Sequence, residues 1–159
     1  MEPKIVKMDK LTIIGLTGNG VETGKVWSDF EEFYVKKPFS KTDENSYEIR
    51  FYDDEQKVTQ GMDIHVGFLT LNTDNLDGFK KIVLPATEYA VFDVYVANGY
   101  DSENKNIDKW LSDNTDKYTQ LQIEGKKYVV ECYNEKFKGG DKSDSTVEIW
   151  IPLKRVYSL

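Results

Sequence analysis

The chain has 159 residues, one domain at roughly 150 residues each, and is long enough to bury about 70% of the surface its unfolded form exposes. Its 28 acidic and 21 basic side chains leave a net charge of −7, with the basic residues scattered in pairs such as Lys36-Lys37 and Lys80-Lys81, which argues against direct nucleic-acid binding because phosphates need a concentrated positive footprint. A hydrophobic fraction of 39% suits a folded globule, a lone Cys132 rules out an intrachain disulfide, no apolar secretion signal follows Met1-Glu2-Pro3-Lys4, and no apolar run nears the roughly 20 residues of a bilayer span, so a cytoplasmic protein without a membrane anchor is expected.

In chain order, period-two alternation predicts six strands, over 11–17, 47–52, 62–70, 88–96, 128–134 and 146–153, separated by Gly, Asn and Asp clusters that read as turns. After the first strand, the segment from Gly18 to Val26 has the place of a phosphate-binding loop, between a strand and a helix. It lacks the pattern: Asn19 stands where the leading glycine belongs, and Val26 where a hydroxyl must meet magnesium. Its glycines are expected to serve a turn with positive φ. A helix follows, with Thr23 as candidate N-cap and with Val26, Phe30, Phe33 and Tyr34 on one face and Trp27 beside it. The next strand runs into Asp53-Asp54-Glu55, expected to be a solvated turn because it lacks the spacing and glycine of a calcium loop. In the second half, Val96-Ala97-Asn98-Gly99 leads to a short helix behind an Asp101-Ser102 cap candidate, with Ile107, Trp110 and Leu111 sharing a face. Two strands joined through 137–144 complete the chain.

This order repeats. Each half reads strand, helix, strand, strand, and in each the first strand ends in a Gly-Asn or Asn-Gly turn before an aromatic helix. Neither half covers a sheet face alone. The expected fold is therefore α+β: two SHS2-like halves, over about 4–75 and 79–155 of a single 1–159 domain, form one antiparallel sheet with helices packed on it and a cleft at the pseudo-twofold.

A carboxylate interrupts the apolar run Tyr128-Val129-Val130-Glu131-Cys132-Tyr133. Alternation puts Glu131 and Tyr133 on one face of the strand and Val130 and Cys132 on the other. Glu148 and Trp150 repeat the arrangement on the neighbouring hairpin strand. Given matching register, two carboxylates and two rings converge on one patch, where a cation stacked on the rings offsets the desolvated acid by about 2 kcal/mol per contact. A solvent-facing sheet surface would carry the same residues. Tyr52 is the first-half counterpart of Tyr133, and Arg50 that of Glu131, so an Arg50–Glu131 pair across the pseudo-twofold is a structural alternative that neutralises the acid without a ligand. Trp110 sits on an apolar helix stripe that suits core packing. His65 and Cys132, the only imidazole and the only thiol, lie on predicted strands; Cys132 faces away from Glu131, which favours a buried structural thiol over a Cys-His catalytic pair. One His and one Cys make no metal-ligand cluster, and no metal or cofactor is expected.

Leu84-Pro85-Ala86-Thr87-Glu88-Tyr89-Ala90-Val91-Phe92, a helix ending in Trp110-Leu111, Glu131-x-Tyr133 and Val147-Glu148-Ile149-Trp150-Ile151-Pro152-Leu153 together resemble the GyrI-like small-molecule-binding family. This is the effector domain that is also fused to AraC-type and MerR-type multidrug-sensing regulators. The resemblance runs from about residue 4 to residue 154. It implies a pseudo-twofold cleft that binds amphipathic, often cationic, organic molecules between aromatics and a buried acid. By its Glu-x-Tyr context that acid maps onto Glu131, with Glu148 as a weaker match, and the family's helix aromatic maps onto Trp110. The ligand-binding set expected from residues and resemblance together is Glu131, Tyr133, Trp150, Trp110, Tyr52 and Glu148. So few residues precede the first strand that no DNA-binding domain is expected, and the leading expectation is a stand-alone protein that binds a hydrophobic or cationic effector. Two alternatives stay open. Some family members are thought to hydrolyse electrophilic toxins, which would make Glu131 a general base in the same cleft. Acidic members are suggested to act by contacting a protein partner such as DNA gyrase, which the acidic turns at 53–55 and 141–144 would serve.

Overall fold

Runs of alternating β-branched, aromatic and polar residues build a ten-stranded antiparallel sheet, and two amphipathic helices pack against it, in line with the expected α+β class. The computed structural model describes residues 2–53, 63–71 and 76–156; Asp54, Glu55 and Met62 of the sequence reading lie outside these. The elements in chain order are β1 (Lys4–Met8), β2 (Leu11–Asn19), α1 (Thr23–Lys36), β3 (Ser46–Tyr52), β4 (Asp63–Leu69), β5 (Lys80–Leu84), β6 (Thr87–Tyr95), α2 (Tyr100–Asp113), β7 (Tyr118–Gln120), β8 (Gln122–Ile123), β9 (Lys126–Tyr133) and β10 (Thr146–Arg155). A 3₁₀ turn precedes each helix. Four of the strands, β1, β5, β7 and β8, were not expected. β1 and β5 are edge strands rich in lysine and mostly exposed, so burial imposes no alternation on them.

The main strand order is β1-β6-β10-β9-β3-β4-β2-β5. Exchanging β1 with β5, β2 with β6, β3 with β9 and β4 with β10 reverses this order and leaves it otherwise unchanged. β1 precedes β2 in the chain yet pairs with β6, from Lys4↔Val91 to Met8↔Thr87, while β5 pairs with β2, from Leu11↔Leu84 to Gly15↔Lys80. The leading strand of each half is thus hydrogen-bonded to the other half.

Strand alternation sorts the core by face. On the helical face, Val26 and Phe30 of α1 pack on Ile64 and Val66 of β4, and Ile107 of α2 packs among Phe92, Val94, Val147 and Ile149 of β6 and β10. On the opposite face, Ile13, Tyr47, Ile49, Tyr89, Tyr128, Val130, Cys132 and Trp150 form one cluster. β2 and β6 are distant in strand order, so their shared membership in that cluster means the sheet bends around it. Each helix covers strands of its own half, and neither covers β3 and β9 at the centre. That central pair is the floor of the site described below.

The turn before α1 differs from expectation. Gly18, Gly20 and Gly24 do not adopt positive φ; Gly18 is required because a Cβ there would stand 2.4 Å from Val26 Cγ2. Asn19 caps the 3₁₀ turn, its Oδ1 accepting from the Val21 amide at 2.9 Å. Thr23 begins the helix itself, and its hydroxyl donates to the Gly20 carbonyl at 2.7 Å. In α2, Asp101 lies inside the first turn and the capping position is Gly99. Among the described residues, no helix is long and apolar enough to cross a membrane.

Candidate functional site

A cleft of about 1010 Å³ lies over β3 and β9, walled by α1 and α2. From α1 it receives Thr23, Trp27 and Glu31, which share a helix face at four-residue spacing. Tyr100, Asn104 and Asp108 of α2 face them. Alternate residues of the central strands form the floor: Glu48, Arg50 and Tyr52 from β3, Val129, Glu131 and Tyr133 from β9.

The antiparallel register makes Glu48 and Glu131 direct cross-strand partners, a placement that is destabilising for like charges. Both are buried, at 1% and 7% exposure. Arg50 compensates for them: its Nε donates to Glu48 Oε2 at 2.7 Å and to Glu131 Oε2 at 2.8 Å. The outer oxygens have donors of their own, Trp27 Nε1 to Glu48 Oε1 at 2.7 Å and the Tyr133 hydroxyl to Glu131 Oε1 at 3.0 Å. Every carboxylate oxygen of the pair therefore accepts a hydrogen bond, as buried acids require. Two carboxylates still share one guanidinium. Burial first, and then the neighbouring Glu48, raise Glu131 to about 7 against the opposing pull of Arg50. The same burial, together with Glu131, pushes the Tyr133 phenol upward, which keeps it a donor. Burial first, and then Glu131, raise the phenol of Tyr100 on α2. Trp27 meets Tyr133 edge to face at 6.2 Å, and Tyr133 meets Phe137 in the same way at 5.0 Å, so the acid pair is lined by rings on the side of α1 and beyond β9.

Of the residues singled out in the sequence, Glu131, Tyr133 and Tyr52 line the cleft together, and the Arg50–Glu131 pair across the pseudo-twofold forms. Tyr52 is held by Gln120, whose Nε2 donates to the phenol oxygen at 2.9 Å. Glu148 and Trp150 do not join them, so the expected convergence of two acids and two rings from β9 and β10 does not occur. β10 pairs Ile149 with Glu131 and Trp150 with Val130, which turns Ile149 and Ile151 toward the cleft. A one-residue change in register sends every side chain of a strand to the other face. Trp150 instead packs in the opposite core, 5.7 Å from Tyr47 and 5.9 Å from Tyr89, and its Nε1 donates to Glu148 Oε1 at 2.9 Å. Glu148 is also paired with Lys136 at 3.2 Å. Trp110 lies outside the cleft lining as well, 5.7 Å from Phe92 and stacked at 6.0 Å on Tyr118.

Sequence reasoning missed Glu48, Trp27 and Tyr100. The alternation that puts Arg50 and Tyr52 on one face also puts Glu48 there, so the signal for Glu48 was present. Trp27 and Tyr100 are named only by the way the helices sit on the sheet. His65 is buried, with Nε2 3.0 Å from the Ile13 carbonyl, and desolvation lowers it to about 4. Cys132 is buried on the opposite core face, its thiol pushed up to about 12 mainly by burial. No cluster of side chains able to hold a metal ion occurs among the described residues.

Residues 4–153 match the Cass2 family, integron-associated effector binding proteins. The chain belongs to this family. Membership makes it an effector-binding, small-molecule-binding protein, and solved structures show the same fold. SAV2435 bound to tetraphenylphosphonium aligns with a TM-score of 0.64 at 13% identity over 97% of this chain and 94% of its own. A putative bacterial transcription regulation protein from Staphylococcus aureus MU50 aligns with a TM-score of 0.63 at 12% identity, covering 97% and 99%. EcmrR, from a complex with DNA, aligns with a TM-score of 0.75 at 13% identity over 98% of this chain, which spans 58% of the EcmrR chain. These likenesses show that the Cass2 chain shares its fold with the three solved structures. No curated protein matches it in sequence.

Proposed function

We propose that this Cass2-family chain binds a hydrophobic organic cation in the cleft between α1 and α2, over the Glu48–Glu131 pair. The observation that carries the reading is the charge count at the floor: two buried carboxylates share one guanidinium. With both acids ionised, Glu48 and Glu131 bring more negative charge to buried positions than the Arg50 guanidinium between them offsets, which is costly until a positive charge meets it. A cation between Trp27, Tyr133 and Tyr100 would supply that charge and stack on their rings, at about 2 kcal/mol per desolvated contact. The tetraphenylphosphonium in the SAV2435 structure, on the same fold, supports this ligand class. In this reading Glu131, Glu48, Tyr133, Trp27, Tyr100 and Tyr52 form the binding set, while Trp110, Trp150 and Glu148 have structural roles. Binding is favoured over water activation because both Glu131 oxygens already accept hydrogen bonds, from Arg50 and Tyr133. We also propose that the whole chain is one domain built from a duplicated unit, over about 4–75 and 79–155, a reading supported by the palindromic strand order.

Tryptophan fluorescence tests the ligand class, because Trp27 is the one tryptophan in the cleft lining. Titration with tetraphenylphosphonium should give saturable quenching at micromolar ligand, absent with neutral triphenylphosphine oxide and lost in Trp27→Phe. In Glu131→Gln the affinity should fall at least tenfold, about 1.4 kcal/mol. Equal response to cation and neutral compound, or no saturable response to either, would sink the reading.

A further inference from the structure

The two halves bring equivalent strands to the cleft but cover them differently. Arg50 of β3 pairs with Ile64 of β4, and its repeat counterpart Glu131 of β9 pairs with Ile149 of β10. Ile149 thus corresponds to Ile64, and Ile151 to Val66, each two residues on and on the same face. In the first half, Val26 and Phe30 of α1 close over Ile64 and Val66, which are 0% exposed and lie outside the cleft lining. In the second half, Ile149 and Ile151 line the cleft, with Ile107 and Leu111 of α2 above them and Val129 of β9 beside them. These five side chains also belong to the core cluster beneath α2. Here the cleft continues into a seam between helix and sheet.

The seam has a direction. α2 runs from Tyr100, whose phenol burial and Glu131 raise, to Leu111, roughly 16 Å further along the helix axis. Val129 lies two residues from Glu131 along β9, roughly 7 Å away. Rings therefore surround the acids, Arg50, Tyr52 and Asp53 lie on the β3 side, and the strip toward β10 and the second half of α2 is aliphatic. Asp108, on the α2 wall, is exposed, whereas Ile149 and Ile151 are 5% and 2% exposed, so the strip is dry. It offers neither a ring to stack on nor a hydrogen-bonding group. The ligand group it favours is a saturated chain, which gains from burial alone. At about 1010 Å³ the cleft is at the upper end of ligand sites, roughly 300–1,000 Å³, which leaves room for such a chain beside a charged head.

We propose that this strip is an alkyl subsite: the cleft takes a cation that carries a saturated arm, its charged head over Glu48 and Glu131 and its arm between α2 and β10, against Val129, Leu111 and Ile151. The proposal rests on the cation-binding reading above and adds the shape of the ligand and the direction in which it lies. It also gives a reason for the asymmetry of a cleft built from two repeats, one sealed by its helix and the other left open.

The test compares methyltriphenylphosphonium with hexyltriphenylphosphonium, followed by tryptophan fluorescence, on the wild-type chain, Val129→Thr and Leu111→Gln. Each methylene fully buried raises affinity about fourfold, so the wild type should bind the hexyl compound at least tenfold more tightly than the methyl one. Each variant puts a polar group on the strip and should cut that ratio at least threefold, which a general attraction of the hexyl chain to apolar surface would not show. Nuclear magnetic resonance on the wild type reads the position directly: the terminal methyl of the hexyl arm should give through-space contacts to the methyl groups of Val129 and Leu111. If methyltriphenylphosphonium binds but the hexyl advantage is less than tenfold, or the ratio falls less than threefold in either folded variant, or the terminal methyl contacts Trp27 instead of the strip, the proposal is overturned while the cation-binding reading stands. If the wild type binds neither phosphonium, both fall. Should a variant fail to fold, the contacts of the terminal methyl in the wild type decide alone, and their absence from Val129 and Leu111 overturns the proposal.

Discussion

His65 and Glu131, buried in the two central quarters of the sheet, titrate in opposite senses. Desolvation holds the imidazole down, from 6.5 to about 4, so below pH 6.5 the unfolded chain takes up a proton that the folded one refuses, and stability is lost as pH falls toward 4. Glu131 is raised from 4.5 to about 7, so the folded chain keeps a proton that the unfolded one has released. That contribution is complete below pH 4.5 and is lost as pH rises through 7. The groups facing Glu131 are Glu48, Arg50, Tyr133 and, from α2, Tyr100. Each shift is on the order of 3 kcal/mol, and between pH 4.5 and 6.5 the two slopes oppose. Urea unfolding of the wild type should therefore show little change across this window, whereas Glu131→Gln, which lacks one slope, should gain roughly 3 kcal/mol between pH 4.5 and 6.5. Parallel pH profiles for the two proteins would show that Glu131 does not hold the proton assigned to it. At this scale the sequence was informative: strand alternation together with the internal repeat brought Glu131, Tyr133, Arg50 and Tyr52 to one cleft, and the same rule includes Glu48.

Elements are positioned by register, which is harder to read. β2 and β4 pair Gly15 with Gly67, and the two backbones approach so closely that a Cβ on Gly67 would lie 2.0 Å from the Ile14 carbonyl oxygen and one on Gly15 1.6 Å from that of Val66. Backbone cannot yield there without breaking the ladder. Gly67→Ala should cost roughly 3 kcal/mol, at the upper end of overpacking, measured as a lower denaturation midpoint with an unchanged slope; stability within about 0.5 kcal/mol of wild type, the range of ordinary surface substitutions, would mean the strands can separate. Both glycines appear in the sequence as breaks in apolar strands, but nothing local says that they face each other. The same gap explains Glu148 and Trp150. Their spacing copies that of Glu131 and Tyr133, yet the β9–β10 register aligns Trp150 with Val130 and so sends the pair to the opposite core. Trp110 went astray through helix rotation rather than register: the stripe of α2 that carries it packs on β6 and β7, and the adjacent stripe, with Tyr100 and Asn104, walls the cleft.

The whole molecule depends on exchange between its halves. β1 completes the second half and β5 the first, β3 and β9 join across seven register pairs from Ser46↔Tyr133 to Tyr52↔Lys127, and one core cluster draws Ile13, Tyr47 and Ile49 from one half and Tyr89, Tyr128 and Trp150 from the other. A fragment of residues 79–159 therefore loses β2 beside β5, β1 beside β6 and β3 beside β9, with much of its core, and should show neither near-ultraviolet dichroism nor a cooperative melt. A cooperatively folded monomer of that fragment would refute this dependence. The sequence by itself determined the alternation, the repeat, the two helices and the strand faces of β3 and β9, because all of these follow from local periodicity and burial. Only the tertiary structure decided the strand order, the exchange of β1 and β5, the direct pairing of Glu48 with Glu131 and the helix faces that wall the cleft. These are contacts between segments far apart in the chain, and no local pattern encodes which of several sterically acceptable registers buries the most apolar surface while leaving the acids their donors.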